Sequence, residues 1–219
     1  MNSEESLNFE NKKYFWDNKI IDWEQKNYQG KLWGSAIRSR RNLLIKLTKN
    51  SLKGKTVFES GCGSAGIIKD LFELGIKKYI GCDISSIAID EAKKLASQLG
   101  FATQTEFHSK SVLEVPDVSC DFHFSLGLWD WLEDDEIIKM MSQSQAPNFL
   151  HSYSERRRST SQMLHRMYVY TAYGRKNMSY TPKYRSEADI ASLLKEADTD
   201  KPLTYRNSDM SFSTFAYKI

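Results

Sequence analysis

Thr56-Val57-Phe58-Glu59-Ser60-Gly61-Cys62-Gly63-Ser64-Ala65-Gly66 is an apolar run that ends in a glycine-rich turn, with the amphipathic segment Ile67 to Leu74 directly behind it. Strand, glycines and helix in that order present a backbone to a ligand. Glycine permits close approach, and the first turn of a helix leaves its N–H groups unpaired. Read literally, Gly61, Gly63 and Gly66 satisfy G-x-G-x-x-G, the dinucleotide fingerprint. Glu59, two positions before the first glycine, points to a different ligand. A carboxylate there repels a pyrophosphate but attracts an ammonium or a sulfonium. The loop reads as built for a partly cationic nucleoside.

Outward from the loop, strands and helices alternate. Tyr79 to Ile84 is a second strand, ending at Asp83, which lies 22 residues after Gly61. That is close to the spacing at which a carboxylate meets ribose hydroxyls. Ser85 or Ser86 caps the helix that follows, and Gly75 ends the one before. Thr105 to His108, Phe122 to Gly127 and Asn148 to Tyr153 read as strands three to five, and Asp134 to Met141 as a helix. A final helix covers Ala188 to Ala197, and two closing strands, Leu203 to Arg206 and Phe212 to Ile219, pair as a hairpin. The pattern predicts an α/β fold: a doubly wound, mostly parallel, seven-stranded sheet with a closing antiparallel hairpin. Ligands of such sheets bind at the carboxyl ends of the strands, where Glu59, Asp83, Ser125 and Ser152 to Ser154 fall.

Before the sheet, residues 1–10 are polar and read as a frayed end. Phe15, Trp16, Lys19, Ile20 and Trp23 follow at helical spacing, and Ser35 to Thr48 reads as a second helix. The aromatic stretch either packs on the main body or forms a lid on which Tyr28 closes over the ligand. The expected division is therefore an N-terminal helical lid over 1–50 and the main domain over 51–219. Residues 155–185, rich in arginine and tyrosine, form an insert over the acceptor side.

Composition sets further bounds. A hydrophobic share of 40%, a charged share of 27% and a net charge of +3 describe an ordinary globular chain and make no case for nucleic acid. Met1-Asn2-Ser3-Glu4-Glu5 lacks the basic flank and apolar run of a signal peptide, and no stretch approaches the roughly 20 apolar residues of a membrane helix, so neither is expected. Cys62, Cys82 and Cys120 are widely spaced, which argues against a disulfide framework or a zinc site and for a cytoplasmic setting.

Over about residues 55–155 the chain resembles the class I S-adenosylmethionine-dependent methyltransferases, whose Rossmann-like fold has an acid, a spacer and G-x-G-x-G after strand one. The third glycine of that pattern falls on Ala65, small enough to preserve close helix packing. By this resemblance Gly61 and Gly63, with Cys62 between them, pass the methionine moiety, and Glu59 binds its amino group. Asp83, with Ile84 beside it, holds the ribose. The adenine amino group ordinarily meets an acid after strand three; Ser111 and Val112 stand there instead. Ser125 and Leu126 line the methyl-transfer site. Leu126-Gly127-Leu128-Trp129-Asp130-Trp131-Leu132 is also similar to the L-G-x-x-D-Y-L turn of a small-molecule subgroup that includes the magnesium-protoporphyrin O-methyltransferases. This likeness implies a small-molecule acceptor and carries no argument for a porphyrin.

Methyl transfer from a sulfonium is an in-line displacement that requires donor and acceptor about 3–3.5 Å apart. His108, His123, His151 and His165 show no metal-ligand spacing, so no metal is expected. Transfer therefore rests on positioning, with or without a general base. Asp130, on the turn after strand four, and His151, on strand five, are the candidate bases. Asp130 serves equally as a cap for the helix near Asp134, and His151 as a core histidine. The arginines of 156–185 suit a phosphate or carboxylate on the acceptor, with a solvated charged face as the alternative. Two other readings stand beside the methyltransferase: a nicotinamide-dependent oxidoreductase using the literal fingerprint, and a non-catalytic binding subunit of the same fold.

Overall fold

The computed structural model describes residues 3–25, 35–115, 118–171, 181–199 and 201–219. Five strands, β1 (Thr56–Ser60), β2 (Lys78–Asp83), β3 (Thr105–Ser109), β4 (Phe122–Leu126) and β5 (Asn148–Ser154), are parallel. Next to β5 runs the antiparallel β7 (Ser213–Lys218), and β6 (Leu203–Arg206) pairs with its far edge. The seven strands lie in the order β3-β2-β1-β4-β5-β7-β6. The order reverses between β1 and β4, which opens the ligand crevice at the carboxyl ends of those two strands.

Strands β1, β2, β4 and β5 are buried along nearly their whole length, because helices cover both faces. On one face α2 (Ser35–Thr48), α3 (Ile68–Glu73) and α4 (Ser86–Gln98) pack Leu44, Leu71, Ile89 and Ala92 against Val57, Tyr79, Phe124 and Leu150. On the other, α5 (Asp134–Ser142) and α7 (Glu187–Glu196) pack Ile137, Met140, Ile190 and Leu194 against Phe149, Tyr153 and Ala216. Leu43 and Leu44 of α2 thus belong to the main core, although the helix precedes residue 50.

Two stretches differ from the sequence reading. Helix α1 (Ser3–Glu24) begins at Ser3, inside the segment expected to be frayed. Buried Phe15 and Ile20 anchor it, and tertiary packing sustains a helix whose polar face has little propensity of its own. Within the expected insert lies α6 (Thr160–Val169), whose Ser159 cap accepts from Gln162 N at 3.2 Å. It leaves Met163, Leu164 and Met167 exposed, so its apolar pattern does not mark a core face. Residues 181–185 then return to β5 through a bridge between Glu155 and Arg185. No described helix is long and apolar enough to cross a membrane.

Candidate active site

The glycine loop turns tightly back over β2. Gly61 N and Cys62 N both donate to Cys82 O, at 2.8 and 3.0 Å. Gly61 and Gly63 have φ of 68° and 52°, the left-handed region that favours glycine. Ala65, where the resemblance expects a third glycine, also has a left-handed φ of 55°. The departure from the motif therefore carries a backbone cost of about 1–2 kcal/mol.

Three carboxyl groups surround this loop. Asp83 accepts from Gly63 N and from Ser85 N, each at 2.9 Å, and so fastens the loop to the end of β2. Glu59 accepts from the Tyr79 hydroxyl beneath the loop. Glu24, from α1, accepts from Ser64 N at 2.9 Å. A Cβ on Gly63 would lie 2.1 Å from Glu24 Oε1, so any other residue there would have to displace the Glu24 carboxylate as well as adopt a left-handed φ. Burial raises the pKa of all three acids, that of Glu59 to about 8. Among the described residues none of the three has an ion-pair partner; Arg41, whose charge reaches Glu59, is bonded to Asp70 at 2.6 Å. No group of three His, Cys, Asp or Glu among the described residues could hold a metal ion. A buried acidic cluster with neither cation nor metal suits an organic cation.

Helix α1 crosses this loop and reaches the turn after β4. Asp17 accepts from the Ser85 hydroxyl at 2.7 Å, and Lys13 donates to the Ser86 hydroxyl at 3.2 Å. Phe15 and Trp16 pack on Trp131 with ring centroids 5.7 and 4.9 Å apart, and Lys12 pairs with Glu136 of α5 at 2.6 Å.

The other expected cofactor residues are distributed unevenly. Cys62 is buried in the loop with its thiol pushed well up by burial. A Cβ on Gly81 would lie 2.9 Å from its Sγ, so a glycine in the middle of β2 gives it room. Ile84 follows Asp83 and is half-buried. The Ser111 hydroxyl accepts from Leu113 N at 3.3 Å, and Val112 lines a small cavity with Phe58, Val115 and His123 on the α5 face. Ser125 bonds the His151 ring at 2.9 Å, and Leu126 packs against the main core. Tyr28 lies outside the described residues.

The turn after β4 is held from several sides. Gly127 has φ 88°, and Asp130 behind it is buried. Both Asp130 oxygens accept from Ser154, one from its N–H at 2.5 Å and the other from its hydroxyl at 2.8 Å. Burial raises the Asp130 pKa against the opposing charge of Arg40. Asp130 does not cap α5: Glu133 does, in a capping box with Glu136. His151 is buried and stacked on Trp129 at 4.6 Å, its Nε2 without a partner among the described residues. Burial and neighbouring His123 hold its pKa well below the usual value. Burial likewise lowers His123 to about 3, where it bonds the Ser60 hydroxyl at 2.6 Å.

The described arginines of 156–185 are mostly engaged elsewhere. Arg157 pairs with Glu155 at 2.6 Å and Arg156 with Asp189 at 3.4 Å. Arg185 is buried, pairs with Asp134 and donates to Trp129 O and Leu132 O. The residues that the sequence reading missed are Glu24 and Arg40. Neither stands at a motif position that implies a site role, and each meets the site from a helix distant in sequence.

Residues 57–146 match a family model described as a methyltransferase domain. No curated protein sequence matches the chain. Among solved structures it is similar to the magnesium protoporphyrin IX methyltransferase of Synechocystis PCC 6803 with bound S-adenosylhomocysteine. That similarity has a TM-score of 0.71 at 17% identity, over 94% of this chain and 96% of that one. It is also similar to the 1,6-didemethyltoxoflavin-N1-methyltransferase of Burkholderia thailandensis, with a TM-score of 0.60 at 17% identity, over 91% and 86% of the two chains. At these identities the likeness is one of fold.

Proposed function

We propose that this chain, whose residues 57–146 match a methyltransferase domain and whose fold is that of such enzymes, is a class I S-adenosylmethionine-dependent methyltransferase that moves a methyl group to an oxygen or nitrogen of a small acceptor. The observation that carries the reading is the acidic cluster at the glycine loop, buried Glu59 and Asp83 with half-buried Glu24, none of which has an ion-pair partner among the described residues. In this reading Glu59 accepts from the amino group of the methionine moiety. Asp83 holds the loop through Gly63 N and faces the ribose. Gly61 and Gly63 let the backbone approach closely, and Cys62 remains a neutral thiol between them. When bound, S-adenosylmethionine supplies an electrophilic methyl group on a cationic sulfur. Helix α1 covers the site as a lid, excluding water and strengthening every charge interaction beneath it.

Catalysis then rests on positioning. Asp130 and His151 support the acceptor side from behind, Asp130 through Ser154 and His151 through Trp129 and Ser125. If either is instead a general base, Asp130→Asn or His151→Ala will abolish turnover in folded protein that still binds S-adenosylhomocysteine. A cytoplasmic setting suits the three free cysteines.

Thermal-shift titration tests the cofactor assignment. S-adenosylhomocysteine raises the melting temperature and NAD does not, because a ligand stabilises only the state that binds it. The reverse order would return the site to a nicotinamide cofactor. Cofactor binding without turnover over a broad acceptor panel would make the chain a binding subunit.

A further inference from the structure

Arg40 reaches from α2 to the carboxyl ends of β4 and β5, where its guanidinium is only partly answered. Nη2 donates to the Ser213 hydroxyl, and Nη1 lies 3.8 Å from Asp130 Oδ2, beyond hydrogen-bond reach. Nε is buried with no partner among the described residues. Both Asp130 oxygens are already held by Ser154. Nη1 also lies against the turn, since a Cβ on Gly127 would be 2.9 Å from it. A buried polar group without a partner costs about 1–3 kcal/mol, and a charged one more. Such a group, at the end of the crevice where the acceptor must sit, is suited to receive an anion.

Three rings flank the Arg40–Asp130 pair. His165 of α6 bonds the Tyr184 hydroxyl at 2.6 Å, and Phe212 packs on both rings at 4.9 and 6.0 Å. Phe212 adjoins Ser213, whose hydroxyl Arg40 bonds, and Tyr184 adjoins Lys183, whose N–H donates to Asp130 O at 2.6 Å, so the chain brings the rings to the charged pair. Burial, reinforced by Arg40, lowers the His165 pKa, and burial raises that of Tyr184 to about 12; both face the site uncharged at neutral pH.

We propose that Arg40, with the rings of His165, Tyr184 and Phe212, forms an acceptor subsite that takes a small aromatic carboxylate. The proposal rests on the methyltransferase reading above and names its substrate class. A monoanion fits better than a phosphate dianion, because Arg40 already has Asp130 beside it. Arg156, Arg157 and Arg185 are committed to Asp189, Glu155 and Asp134, respectively, and Arg166 lies over the Tyr184 ring, 4.6 Å from its centroid, so that with Asp130 offsetting Arg40 about one positive charge is left for the ligand. A planar carboxylate matches the fork of one guanidinium, and its ring finds aromatic partners.

The test compares 4-hydroxybenzoate with 4-hydroxybenzamide, which differ in charge and hardly in shape, by calorimetry on protein saturated with S-adenosylhomocysteine. The wild type should bind the benzoate at least tenfold more tightly. Arg40→Met should reduce that preference to within twofold while S-adenosylhomocysteine binding persists, and Arg40→Lys should retain part of it. Equal binding of the two probes by the wild type overturns the subsite, as does a preference that survives in Arg40→Met. If Arg40→Met does not fold, the wild-type comparison alone decides. Failure of S-adenosylhomocysteine to bind would instead sink the methyltransferase reading beneath it.

Discussion

The loop after β1 and the turn after β4 are built alike and charged differently. Each follows a buried parallel strand, each turns on a glycine of positive φ, Gly61 and Gly127, and each has a buried acid, Glu59 or Asp130. Around Asp130 the chain supplies Ser154, Arg40 and, through Asp130 O, the backbone N–H of Lys183. Around Glu59 it supplies one hydroxyl, from Tyr79, two further acids, and the charge of Arg41, which is bonded to Asp70 instead. An acid whose oxygens are answered within the fold is part of the scaffold. An acid buried among acids is held ready for a cation that comes from outside. This difference, more than the glycines, separates the binding loop from the supporting turn.

The largest effect expected from this contrast is on stability. Asp130→Ala should cost about 3–5 kcal/mol, since it leaves the buried Arg40 charge without a carboxylate and with only the Ser213 hydroxyl. Denaturant unfolding would measure that loss, and the folded fraction should keep its affinity for S-adenosylhomocysteine. A mild loss would mean that the turn is not held as described. Glu59→Gln should do the opposite. The ligand-free protein keeps or gains stability because a buried acid is gone, while S-adenosylhomocysteine affinity falls by about 1.5–3 kcal/mol, roughly 10–100-fold. Unchanged affinity by calorimetry would remove Glu59 from the site.

A third measurement uses pH. Burial raises the folded pKa of Glu59 from 4.5 to about 8, so its contribution to ligand-free stability is present below pH 4.5 and is lost as pH rises through 8. The bound ammonium needs the ionised form, so binding releases a proton. Affinity should therefore fall up to tenfold per unit as pH drops below 8. Calorimetry in buffers of different ionisation enthalpy reads the released proton, and Glu59→Gln should abolish it. The smallest effect concerns Ala65. Glycine relieves its left-handed backbone by about 1–2 kcal/mol, but loses a buried methyl worth about 0.8 kcal/mol. Ala65→Gly should thus stabilise by no more than about 1 kcal/mol, and a large loss would show that packing outweighs backbone strain there.

Much of the first region was legible in the sequence because its parts are close along the chain. Glu59, the glycines and Asp83 are fixed by the ends of adjacent strands, and Gly63 N meets Asp83 across 20 residues of a β-α-β unit. The second region was far less legible. Asp130 stands in the turn that its neighbours predict, but no local pattern shows that Ser154 takes both its oxygens or that Glu133 caps α5 in its place. Helix α6 was hidden in a stretch dense in charge and tyrosine, and of its apolar residues Val169 is buried while Met163, Leu164 and Met167 are exposed. Glu24 meets Ser64 across 40 residues and Arg40 meets Ser213 across 173, separations at which spacing carries no information.

By itself, then, the sequence determined the order of strands and helices, the glycine loop and the acids at its ends. These follow from periodicity and backbone conformation, which are properties of neighbours in the chain. Only the tertiary structure decided which charges are balanced. That depends on burial and on partners that come from opposite ends of the chain, and it distinguishes Glu59, left waiting for a cation, from Asp130, which the fold has already answered.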